Sequence, residues 1–80
     1  MNLNVIELIN GKIIVADVEE LDEEPSCYMK NCREVVNDTE LIKWPKYTDE
    51  VSVLIYSNRI ITMSEPTDTI TELYNKTINS

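Results

Sequence analysis

The dipeptide Asn10-Gly11, set between two apolar runs, constrains the fold of this chain more than any other feature. Its glycine is the only one in 80 residues. Asn-Gly between β-branched runs signals a tight hairpin, because a two-residue loop that follows the strand twist needs positive φ at both central positions. Val5, Ile6 and Leu8 then belong to a first strand. Ile13, Ile14, Val15, Ala16 and Val18 begin a second, which reaches Leu21 and is long enough to bend. A single glycine placed in a turn leaves none for a phosphate-cradling or dinucleotide loop.

The strand pattern continues downstream. Asp22-Glu23-Glu24-Pro25-Ser26 is the next turn, and Cys27–Lys30 with Arg33–Val36 forms a third strand with a break near Asn31. Residues 37–50 hold most of the turn chemistry, including the sole tryptophan, and Leu41-Ile42 either extends the third strand or begins a short one. In 51–56, Val51, Val53 and Ile55 alternate with Ser52, Leu54 and Tyr56, and Ser57-Asn58 turns the chain into Arg59–Met63. Both segments are apolar on two faces, which fits burial between an interior and a neighbour. Beyond Met63 the period changes. Ile70, Leu73, Tyr74, Thr77 and Ile78 recur at helical spacing after Ser64-Glu65-Pro66-Thr67-Asp68, which predicts a helix over about 66–78, with Thr69 and Glu72 spaced for a capping box.

A chain of this size folds as one domain, 1–80, and buries only about 60% of its unfolded surface, so small domains commonly add disulfides, a metal or neighbouring subunits. Two cysteines and no histidine favour subunits. Cys27 and Cys32 would face opposite sides of a continuous strand, and their spacing fits neither zinc nor a redox dithiol, so both are expected as free thiols. The missing histidine excludes Ser-His and Cys-His nucleophiles, and the sequence offers no paired acid and base to nominate, so no enzyme, metal or cofactor is expected. Seven cations against fifteen carboxylates give a net charge of −8, which disfavours nucleic acid and suits a basic protein partner. Six carboxylates fall between Asp17 and Glu24 and read as a solvated hairpin end, because a calcium loop would need alternating ligands and a central glycine. No signal-like or membrane-spanning run is visible, so a cytoplasmic protein is expected.

About five short antiparallel strands with a bent second strand suggest a small SH3-type barrel carrying a C-terminal α-helix. Within it, Val5-x-Glu7-Leu8-x-Asn10-Gly11-Lys12-x-Ile14-x-Ala16-x-Val18 resembles the first Sm motif, and the run from Val53 to Met63 resembles the second. The chain is thus similar to the Sm-like (LSm) family, with a barrel over about 4–63, and resembles small Sm-like proteins of cyanophage and marine phage origin. The resemblance implies a homo-oligomeric ring of about five to seven subunits, and for a phage protein the host cytoplasm as its compartment. Val51, Val53, Leu54, Ile55, Ile60, Ile61 and Met63 would then form the subunit interface.

Sm-like rings that bind RNA use Asp and Asn near the turn before the third strand and Arg-Gly between the last two. Those positions fall here on Ser26 or Cys27 and on Tyr56-Ser57, with Arg59 displaced from the expected arginine. Tyr56, Arg59, Ser26 and Asn31 are the candidate RNA-binding residues on that reading, Tyr56 by stacking. Trp44 and Tyr47, around Pro45 and between Lys43 and Lys46, form a separate candidate recognition loop. The expected function is a non-enzymatic ring-forming scaffold or binding module, with an RNA-binding ring as the alternative.

Overall fold

The computed structural model describes residues 2–20 and 26–79. It is mainly β, with strands β1 Leu3–Leu8, β2 Ile13–Glu20, β3 Ser26–Asn37, β4 Glu40–Lys43, β5 Ser52–Tyr56 and β6 Ile60–Ser64, followed by helix α1 Asp68–Ile78. The six strands form one antiparallel sheet in the order β4-β3-β2-β1-β6, and β5 also pairs with β3. The turn expected at Asp22–Pro25 and the reach of the second strand to Leu21 lie outside the described residues.

Two features correct the expected five-stranded closed barrel. Leu41 and Ile42 belong to a strand of their own, β4, which folds back on β3 after a tight turn in which Asn37 Oδ1 accepts from Thr39 N–H at 2.9 Å. The sheet also stays open. A single 3-10 turn, Ser57–Arg59, carries the chain from β5 on the β3 edge to β6 on the β1 edge, and the described strands β5 and β6 do not pair with each other.

The hairpin at Asn10-Gly11 takes a different form from the one expected. Leu8 N–H donates to Lys12 O and Gly11 N–H to Leu8 O, both at 2.9 Å, which encloses three loop residues. Gly11 has φ +88 while Asn10 is not among the positive-φ residues, so this is a three-residue loop of the G1-bulge kind. Asn10 serves through its side chain, whose Oδ1 accepts from Lys12 N–H at 3.0 Å.

The third strand does break at Asn31. Val15 pairs with Arg33 and Asp17 with Lys30, so Asn31 and Cys32 together oppose Ala16, and Asn31 has φ +51. This β-bulge reverses the side-chain alternation, and Cys27, Met29 and Cys32 all enter the same core. Opposite faces hold for the two cysteines only on a continuous strand, and the bulge between them breaks that alternation. Both are buried free thiols. Burial pushes the Cys32 thiol up to about 11, with the Arg33 guanidinium and a backbone hydrogen bond pulling the other way. Burial, followed by Glu20, also raises Cys27.

Ile6, Leu8, Ile14, Ala16 and Val18 complete the inner face of the bent sheet with these residues, and Trp44, Val53, Ile55, Ile60 and Met63 pack against them. Val15 and Tyr74 are fully buried outside that cluster. Val15 points away from Ile14 and Ala16 by strand alternation, so a second apolar contact zone lies on the outer face, where α1 packs. The Tyr74 hydroxyl donates to Asn31 O at 3.0 Å, which joins the helix to the bulge. Thr67 is the N-cap, its hydroxyl accepting from Ile70 N–H at 3.2 Å, so the cap precedes the Thr69–Glu72 pair and Pro66 lies before the first turn. Among the described residues no helix is long and apolar enough to cross a membrane.

Candidate functional site

β4 and β5 lie end to end along the same edge of β3, on either side of the Asn31 bulge. The segment between them is pinned there, since Asn31 N–H donates to Val51 O at 2.8 Å. Trp44 leaves the end of β4 into this gap, is followed by a cis bond to Pro45, and packs against the core. It stands between two cavities and lines both.

The first cavity, of about 260 Å³, lies over the bulge and carries both signs of charge. Arg33 and Lys43 face each other across β3 and β4, and Asp49 and Glu50 enter from the loop. Lys43 Nζ is 3.9 Å from Asp49 Oδ1, and Arg33 donates to Cys32 O at 2.7 Å, so part of its donor capacity is used internally. The second cavity, of about 380 Å³, is also lined by Trp44. The end of β1 and its loop contribute Leu8, Ile9 and Asn10. Leu54, Ile55 and Tyr56 of β5 and Arg59 of the 3-10 turn line the rest. Ile9 N–H donates to Arg59 O at 3.0 Å, tying the hairpin loop to that turn.

The residues expected to contact RNA do not form one group. Tyr56 and Arg59 line the second cavity together, with Tyr56 59% exposed. Ser26 is directly opposite Tyr56 in the sheet register but is buried. Asn31 lies five residues further along β3, roughly 16 Å away at the usual strand rise. Its backbone N–H and C=O serve Val51 and Tyr74, and its positive φ gives it a place in the bulge.

The recognition pair Trp44 and Tyr47 also separates. Trp44 is half-buried between the cavities, whereas Tyr47 is fully exposed at φ +65 and lines neither. Ile9, Asn10, Leu54 and Arg33 were not expected at the site with Trp44, and Lys43 was expected only as its neighbour in the chain. Ile9 carried a usable signal, since a large apolar residue beside a polar turn is 53% exposed here. The cations carried none, because their meeting depends on β4 folding back.

The expected interface residues divide by face. Val53, Ile55, Ile60 and Met63 pack against this chain's own core. Val51, Leu54 and Ile61 are exposed, Ile61 at 56%, and Val51 precedes β5. On the outer face Leu54 pairs with Tyr28, and Tyr56 is the next outward residue along β5.

No curated protein matches this chain. A family model matches residues 1–79. The chain therefore belongs to the family of unknown function DUF6561.

Proposed function

We propose that this protein is a non-enzymatic, self-assembling β module, a ring-forming scaffold of the Sm-like kind whose acidic surface takes a basic protein partner. The observation that carries this reading is the pair of open edges. β5 pairs with β3 alone and β6 with β1 alone among the described strands, while Leu54, Tyr56 and Ile61 lie exposed on them. An open, apolar edge is an aggregation hazard, and pairing β5 of one subunit with β6 of the next would remove it around a closed ring. The small core points the same way.

Light scattering at micromolar concentration tests the assembly. The wild-type protein is expected at the mass of a closed oligomer, and the double variant Leu54→Lys, Ile61→Lys at a single-subunit mass. Both side chains face outward, so the lysines disturb the edges without entering the core. A wild-type single-subunit mass would overturn the reading. The RNA-binding alternative draws on one observation, the meeting of Tyr56 and Arg59 at a cavity beside Trp44. Against it stand the net charge of −8, the buried Ser26 and the internal bonding of Asn31. Binding of a U-rich oligonucleotide that weakens with added salt would favour the alternative.

A further inference from the structure

We propose that the second cavity, between the β1–β2 loop, Trp44 and the end of β5, binds an apolar monocarboxylic acid. One chain supplies every lining residue of this cavity, but Leu54 and Tyr56 among them also lie on the β5 edge that the proposed ring would cover, so ligand and neighbouring subunit would meet there. Its walls are Leu8, Ile9, Trp44, Leu54 and Ile55. They suit an acyl chain or aromatic body, and about 380 Å³ lies in the range of small-molecule sites.

Each polar side chain of the lining carries a hydrogen-bond donor. Arg59 brings a guanidinium, Tyr56 a phenol and Asn10 a carboxamide. Asn10 Oδ1 is already the acceptor for Lys12 N–H, which leaves its NH₂ as the donor end. No carboxylate lines the cavity among the described residues, although the chain carries fifteen. Lys12, Lys30 and Lys43 each have an acidic partner within 4 Å, Glu34, Glu19 and Asp49, and of the cations without one among the described residues only Arg59 lines this cavity. Beside the apolar walls of this cavity, a planar guanidinium with no ion-pair partner among the described residues matches a carboxylate through two parallel hydrogen bonds.

The same lining disfavours a nucleotide. One cation inside a field of net charge −8 suits a monoanion better than a phosphomonoester. Trp44 is the sole tryptophan and lines the cavity, so its emission reports occupancy directly. Trp44 also lines the first cavity, as does Lys43, and a Lys43 variant separates the two sites.

The experiment titrates the intact protein with octanoate, 1-octanol and uridine 5′-monophosphate while following tryptophan emission. Octanoate is expected to give a saturable change and to bind about tenfold or more tightly than octanol, the contribution of charge-assisted hydrogen bonds. Arg59→Met should abolish that preference and Lys43→Met should preserve it, both being exposed positions that leave the core alone. The proposal is overturned by an absence of saturation, by equal binding of octanol, or by tighter binding of the nucleotide. Loss of octanoate binding in Lys43→Met rather than Arg59→Met would also overturn it, by placing the ligand in the other cavity.

Discussion

Asn31 holds together much of this molecule through its backbone: its positive φ makes the bulge, its N–H anchors the loop before β5, and its carbonyl receives the Tyr74 hydroxyl. Those bonds survive any side-chain substitution that tolerates the same φ, which separates conformation from bonding. Asn31→Gly should change stability by less than about 0.5 kcal/mol, while Asn31→Val should cost about 1–2 kcal/mol, since β-branched residues resist the left-handed region. Urea unfolding of the two variants checks this, and equal stabilities would mean that the bulge does not require the conformation. Cys32, placed in the core by that bulge, makes stability depend on alkaline pH. Its thiol holds its proton up to about 11 in the fold, against 9.0 ordinarily. Between those values the unfolded chain has released a proton that the native one keeps, so stability is intact below the lower value and falls as pH rises through the window. Cys32→Ala should show a shallower fall in unfolding free energy between about pH 9 and 11, whatever its cost at neutral pH. Parallel pH curves for the two proteins would contradict the assignment.

At the scale of elements, the parts legible in the sequence were those set by local chemistry. The Asn10-Gly11 reversal, the alternation of Val53 and Ile55 with Leu54 and Tyr56, and the helical period of Ile70, Leu73 and Tyr74 need no distant partner to be recognised, although which face of the strand turns outward does. Even there the details followed geometry that composition does not specify, as in the three-residue loop and the cap at Thr67. What was illegible depended on pairing. The break at Asn31 could be seen as a break, but its effect on Cys32 required knowing that two residues of β3 oppose one of β2. The candidate site shows the same division. Tyr56 and Arg59 are singled out by their positions in the Sm-like resemblance and Trp44 by its type in a loop, so the first two carry a different expected task from Trp44. Their meeting with Ile9 and Asn10 follows from β4 and β5 sharing one edge of β3, while the hairpin loop hydrogen-bonds to the 3-10 turn.

For the whole molecule, a small core and open edges stand against a net charge of −8, and the balance makes any assembly sensitive to its ionic surroundings in a definite direction. In the proposed assembly, subunits carrying the same excess charge would repel one another, whereas contacts through the exposed Leu54, Tyr56 and Ile61 would be mainly apolar and backbone-mediated. Raising salt from about 0.01 M to about 0.15 M shortens the screening length from about 30 Å to about 8 Å and removes most repulsion between exposed charges. Self-assembly should therefore tighten with salt, while capture of a basic partner by the same acidic surface should loosen. Acidification toward the carboxylate range lowers the same repulsion and should tighten assembly as well. Sedimentation velocity across this salt range, at a concentration where dissociation is detectable, measures the sign directly. A larger mean mass at higher salt fits edges joined by apolar contact and strand pairing. A smaller mean mass would mean that ion pairs between subunits hold the assembly, which would shift attention from Leu54 and Ile61 to cations such as Arg59 as the residues joining neighbouring subunits.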